Sequence, residues 1–139
     1  MFSIRQFALI ISICLMFFSC KKAIQDEKEK YVLGVMTSGR WFLENYTENG
    51  NDNTFDFIAY QFQFYEDSRL NAITTDSIKN GTWNGNQSTL TMTIAFPAGD
   101  RTLSRLNHPW LFTKSNIGLV FAETTTASGK KTIRLRKKT

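Results

Sequence analysis

Over residues 89–96 the apolar side chains fall at every second position: Leu90, Met92, Ile94 and Phe96 alternate with Thr89, Thr91, Thr93 and Ala95. A period of two belongs to an extended strand with one buried face, so the even positions are expected in a core. Residues 131–137 repeat the pattern, with Ile133 and Leu135 on one face and Thr132, Arg134 and Arg136 on the other. Between Phe55 and Tyr65 the phase changes, because Phe55 and Phe57 are odd whereas Ile58, Tyr60, Phe62 and Phe64 are even. A bulge near Ala59, or a sharply bent strand, would join the two halves.

Turn signals punctuate these runs at Asn49-Gly50, Glu66-Asp67-Ser68, Asn80-Gly81, Asn84-Gly85, Ala98-Gly99-Asp100, His108-Pro109 and Ser128-Gly129. The runs between them give about nine short strands, and no amphipathic helical stretch follows Met36. A chain of short strands must hide its sheet edges. Consecutive hairpins with short turns do so most simply as an all-β, antiparallel up-and-down barrel of about eight strands. Residues 37–139 are large enough for one such core and too short for two. Val32, Leu33 and Met36 are expected to form a short helical or irregular plug before the first strand.

The N-terminus has a different grammar. Arg5 precedes an apolar run over residues 7–18 that has the length of a secretory signal and is too short to span a bilayer. The run closes on Phe17-Phe18-Ser19-Cys20 and then Lys21-Lys22, which resembles the lipobox of bacterial lipoproteins, with Ser19 as the small residue before the lipidated cysteine. That resemblance implies a signal peptide over residues 1–19, a lipid on Cys20, and a tether and lead-in over residues 20–36. The other cysteine, Cys14, lies in the removed segment, so the mature domain has no disulfide, thiolate cluster or cysteine nucleophile. Several acyl chains on one residue make a durable anchor, each buried methylene contributing about 0.8 kcal/mol. Lys21, where an Asp would favour inner-membrane retention, implies an outer membrane lipoprotein, facing the periplasm or the cell surface.

A resemblance to a known family also runs along the barrel. Gly39-Arg40-Trp41 contains the Gly-x-Trp that opens the first strand of lipocalins, and the stretch around it is similar to the small lipocalin-like lipoproteins of Bacteroidota. Tyr60-Gln61-Phe62-Gln63-Phe64 with Glu66-Asp67, Gly81-Thr82-Trp83 before Leu90-Thr91-Met92, Leu106-Asn107 with Trp110, and Leu135-x-Lys137 resemble later strands of that group. The resemblance implies a barrel wide enough for side chains or for one small ligand. It further implies that Gly39 and Trp41 close one end, with Trp41 stacked by Arg134 or Arg136 in a cation–π contact. The second and third lipocalin motifs and the C-terminal helix have no counterpart here.

The chemistry-bearing residues are sparse. His108 is the only histidine, which excludes a multi-histidine metal site, and no Gly-x-Ser-x-Gly elbow accompanies it. Glu44, Asp56, Glu66 and Asp76 could pair as acid and base, yet their spacing singles out no two. Asn49-Gly50-Asn51-Asp52-Asn53 lacks the pattern of a calcium loop and reads as a hairpin tip. The net charge is +5, concentrated in the C-terminal strand. Beside a bilayer that favours anionic head groups or acidic glycans, not nucleic acid. The chain is therefore expected to bind rather than catalyse, and to need no cofactor or metal. Its expected ligand is a small hydrophobic or saccharide molecule, with Tyr60, Trp83, Trp110 and Phe112 as candidates to line a calyx mouth; barrel core is the default place for aromatics of this kind. The alternative is a filled barrel that contacts an envelope protein partner through its outer face.

Overall fold

A computed structural model describes residues 23, 24, 27, 30 and 33–139 of the chain. The expected signal peptide, Cys20 and much of the expected tether lie outside the described residues. Nine strands follow in order: β1 (Trp41–Glu48), β2 (Asn51–Asp52), β3 (Gln61–Phe64), β4 (Arg69–Ile73), β5 (Ile78–Asn86), β6 (Thr91–Ala95), β7 (Pro109–Asn116), β8 (Leu119–Thr126) and β9 (Gly129–Lys137). Every neighbouring pair is antiparallel, and β9 returns to β1 from Trp41↔Lys137 to Glu48↔Lys131, which closes the sheet. The two-residue β2 only folds back on the end of β1, so the wall has eight strands. The expected all-β antiparallel barrel is the observed one.

Alternation decides what fills it. Met92, Ile94 and Phe96 point inward from β6 and its continuation, as do Ile133 and Leu135 from β9, and all five are buried. Trp41, Leu43 and Tyr46 do the same on β1, but their spacing slips from odd to even. The slip is a bulge at Glu44: Leu43 faces Leu135 and Asn45 faces Arg134, leaving Glu44 as the extra residue. Phe62 and Phe64 of β3, Leu70 and Ala72 of β4, and Trp110 and Phe112 of β7 complete a continuous core. Full burial of each large side chain contributes about 1.5–3 kcal/mol. An eight-stranded wall encloses a space just wide enough for such side chains.

Three expectations need correction. The phase change after Phe55 is neither a bulge near Ala59 nor a bent strand; it is a 3-10 turn, Thr54–Phe57, whose buried Phe57 caps the core before β3 begins. Asn80-Gly81 and Asn84-Gly85 are not turns but lie inside β5. Their glycines are there for space, since a Cβ on Gly81 would stand 2.6 Å from the Phe96 ring and 2.7 Å from the Ala95 carbonyl. His108-Pro109 does not connect two strands tightly either; Pro109, which lacks an N–H, is the first residue of β7, a position where that lack is tolerated.

Both mouths are stoppered. At the near end, where β1 starts and the β3–β4, β5–β6 and β7–β8 turns gather, helical residues 33–35 lead into Met36, and Leu33 and Met36 are buried. That matches the expected plug for these two residues. At the far end the long β6–β7 connection turns inward through a second 3-10 segment, Leu103–Leu106, and buries both of its leucines. Asn107 holds this connection by mimicking a strand partner: its Oδ1 accepts from the Phe96 N–H at 2.6 Å and its Nδ2 donates to the Phe96 carbonyl at 2.8 Å.

Candidate functional site

The far end carries the densest cluster of interacting ionisable groups among the described residues. Glu48 ends β1 and its Oε1 is the hub, accepting from the Tyr46 hydroxyl at 2.5 Å and from Arg105 Nε at 3.0 Å, with Lys131 Nζ at 3.7 Å. Arg105, from the 3-10 turn of the β6–β7 connection, reaches onward to Asp56 Oδ2 at 2.6 Å. Its guanidinium also lies over the Tyr46 and Phe57 rings, 5.0 and 5.4 Å from their centroids. Partial burial pushes the Glu48 carboxyl up, but the Tyr46 and Arg105 hydrogen bonds and the positive charge of Arg105 and Lys131 outweigh it and hold the group below its ordinary range. Burial, and then hydrogen bonding to the Glu48 carboxylate, raise the Tyr46 phenol well above its ordinary value.

His108 is not the solvated turn residue its position suggests. It is half-buried, its ring stands edge-on to Trp110 at 6.0 Å, and Lys131 Nζ lies 3.1 Å from its Nε2. Burial, and then the Lys131 charge, hold the imidazole below its ordinary pKa, so it stays neutral and accepts from the ammonium. The cluster ties the β6–β7 connection to β1 and β9. The histidine faces a cation instead of an orienting carboxylate, and Glu48 Oε1 already accepts two hydrogen bonds and faces the Lys131 ammonium. No group of three or more His, Cys, Asp or Glu placed to hold a metal occurs among the described residues.

The four aromatics expected to line a calyx mouth do not share one. Trp110 and Phe112 are core residues, 0% and 5% exposed, and Trp110 spends its Nε1–H on the Leu106 carbonyl at 2.9 Å. Trp83 belongs to the near end, half-buried edge-on against Phe64 at 5.2 Å with its Nε1–H given to the Tyr65 carbonyl at 2.8 Å. Tyr60 precedes β3 and tilts against Phe62. The structure brings none of these four together at an opening.

The closure residues divide. Gly39 adopts φ +82°, a left-handed turn in which a Cβ would also press on Lys137 at 3.2 Å. That turn swings the preceding chain over Trp41, which is wholly buried and donates its Nε1–H to the Met36 carbonyl at 3.0 Å. Arg134 and Arg136 are not stacked on it, because alternation along β9 puts them on the outer face, opposite Ile133 and Leu135. There they converge on the bulged Glu44. Arg136 binds it through both carboxylate oxygens at 2.5 and 3.0 Å, and Arg134 Nε lies 2.7 Å away as an ion contact without the alignment of a hydrogen bond. Arg136, then the other charges, hold the Glu44 carboxyl down against the modest effect of burial.

No family model matches the chain, and no curated protein matches it. Among solved structures it is similar to the crystal structure of a DUF4847 family protein from Bacteroides vulgatus ATCC 8482, with a TM-score of 0.53 and 15% identity over 76% of this chain and 98% of that one. At that identity the likeness is one of fold. It supports the antiparallel barrel, and it carries no ligand or activity across.

Proposed function

We propose that this chain is a non-catalytic, lipid-anchored envelope protein of the outer membrane, a filled barrel that works through its outer surface. One observation carries the reading: the interior is occupied by its own side chains, with Trp110 and Phe112 in the core, Trp83 hydrogen-bonded to the Tyr65 carbonyl, and Tyr60 packed against the core from outside it. The lipobox-like ending at Cys20 supports the anchor. A small hydrophobic or saccharide ligand inside the barrel loses its support, and the protein-partner reading takes its place.

The far end offers the contact. Phe55 and Ile58 are 81% and 64% exposed. Three residues apart on a 3-10 turn, they stand one above the other on the same side. Between them Asp56 is tied to Arg105, so this apolar pair is presented on a fixed loop rather than a loose one. A protein surface with an apolar recess rimmed by charge is its natural complement. Native mass spectrometry of the chain incubated with host extract tests the filled barrel: the unmodified mass is expected, and a discrete added small-molecule mass would restore the ligand reading. A photo-crosslinking side chain at position 55, introduced in cells, should give one defined adduct that Ile58→Asp abolishes. Adducts that Ile58→Asp leaves unchanged would overturn the far-end contact.

A further inference from the structure

The near end is built for a different neighbour. Its β7–β8 turn and the end of β9 border an open groove of about 630 Å³ whose apolar floor includes Phe42 and Leu119. Ile117 stands at the tip of that turn, 61% exposed. Lys137 and Lys138 line the groove with it, and Arg40, just before β1, and Lys114, near the end of β7, stand at the same end of the barrel. Their neighbours are neutral: Lys137 Nζ donates to the Ser38 hydroxyl at 2.7 Å, and Arg40 and Lys138 both reach the Gln61 amide oxygen at 3.4 Å. No carboxylate pairs with any of the four among the described residues. The acidic Glu66-Asp67 turn belongs to β3–β4, on the opposite side of the barrel wall.

The same end receives the incoming chain. Leu33, where the continuous described chain begins, is buried here and lies 3.4 Å from where a Cβ on Gly85 would stand. We infer that the near end docks on anionic lipid head groups, the cations meeting phosphates and Ile117 entering the interface beside the groove. Exposed apolar tips ringed by lysine and arginine match that boundary, where an apolar side chain can pass below the head groups while long basic side chains stay among them. The β7–β8 side leads, and the Glu66-Asp67 side tilts away.

The inference rests on the anchored reading for bringing the barrel to a bilayer, and one experiment separates the two. The full chain is mixed with phosphatidylcholine vesicles carrying brominated acyl chains, with or without phosphatidylglycerol. Flotation reports the anchor, and quenching of a tryptophan placed by Ile117→Trp reports contact. Flotation with both lipids is expected, with quenching that strengthens with phosphatidylglycerol and fades at high salt. Each basic charge removed, as in Lys138→Gln, should lower the docked-to-undocked ratio about fivefold. The matching Phe55→Trp variant at the far end should stay unquenched.

Flotation without quenching at position 117 would overturn the docking and leave the anchor standing. So would equal quenching at both ends. Flotation and quenching only with phosphatidylglycerol would support the docking and overturn the anchor. An acidic glycan as the true partner would show as salt-sensitive binding to a soluble polyanion with no quenching, which also overturns the docking.

Discussion

At the far end of the barrel, Glu48 of β1, Asp56 and Arg105 of the two 3-10 turns, and Lys131 of β9 neutralise one another, with His108 kept uncharged beside them. At the near end Arg40, Lys114, Lys137 and Lys138 meet no carboxylate among the described residues. Both mouths are closed by apolar side chains folded in from a connecting segment, yet only one spends its charges on that closure. A long connection such as β6–β7 must be fixed against loss of chain entropy, and ion pairs with hydrogen bonds help to fix it. The near-end plug is held differently, by Leu33 and Met36 in the core and by the Trp41 indole on a backbone carbonyl. Its surface charges are left over for something outside the chain.

The comparison breaks first at the two tryptophans. If the stoppers are equivalent in packing, Trp41→Ala and Trp110→Ala should each cost about 3–5 kcal/mol, read as a fall in the urea midpoint. Each would leave a cavity; Trp41→Ala would also leave the Met36 carbonyl without its partner, whereas the Leu106 carbonyl would keep the His108 N–H at 2.7 Å. A loss confined to Trp41 would mean that the far end is held by its ion cluster alone.

Glu48→Gln sharpens the other side of the contrast. An amide presents a weaker acceptor to Tyr46, Arg105 and Lys131, and the site is about two-thirds buried by side-chain area. A loss of about 1–2 kcal/mol is expected. Hydrogen exchange should rise selectively in residues 100–108, since Arg105 would lose its tie to β1. Unchanged exchange there would show that Asn107 and the two buried leucines hold the loop by themselves.

Much of this fold could be read from the residues, and much of the cluster could not. Alternation in β6 and β9 marks its own buried face because every second side chain reports it, and Gly39-x-Trp41 marks the near-end turn. The failures share a cause: Asn80-Gly81 and Asn84-Gly85 carry the local chemistry of a turn, but β5 uses their missing side chains to admit Phe96 at Gly81 and the Trp83 ring and Leu33 at Gly85. Phe96 and Leu33 come from other parts of the chain, so no local pattern reveals that demand. The phase shift in β1 between Leu43 and Tyr46 emerges from the strand register, and its bulge explains why Glu44 attracts two arginines. The far-end network draws on residues 48, 56, 105, 108 and 131, brought together by barrel closure alone. No local signal pairs Glu48 with Arg105 across 57 positions.

Acid should act on the far end in two windows and on the Glu44 site in one. The His108 pKa is depressed below its ordinary 6.5 by burial and Lys131, so the folded state holds fewer protons than the unfolded one just below that pH. Stability is then complete above about 6.5 and declines as pH falls towards the folded pKa. Glu48 and Glu44, both depressed below 4.5, begin their loss only under more acidic conditions. His108→Gln should remove the upper step from a plot of urea midpoint against pH and leave the lower one. A plot unchanged by His108→Gln would mean that the imidazole does not sense Lys131.

The smallest effect is expected where the geometry is most regular. Glu44 binds Arg136 through both oxygens and touches Arg134, yet all three sit on the outer wall, where water screens the pairing and each long side chain must be ordered to make it. Glu44→Gln should therefore leave the thermal midpoint unchanged within the precision of a melting curve, unlike Glu48→Gln at the other end of the same strand. A bulge is fixed by its backbone ladder, which does not require the carboxylate. Freed from Glu44, Arg134 and Arg136 would add two more unpaired cations to the β9 face beside the near-end groove. Contact with phosphatidylglycerol vesicles should then tighten while stability stays constant. A fall in midpoint as large as that of Glu48→Gln would show that outer-wall ion pairs help to close the barrel, and the division of labour between its ends would be lost.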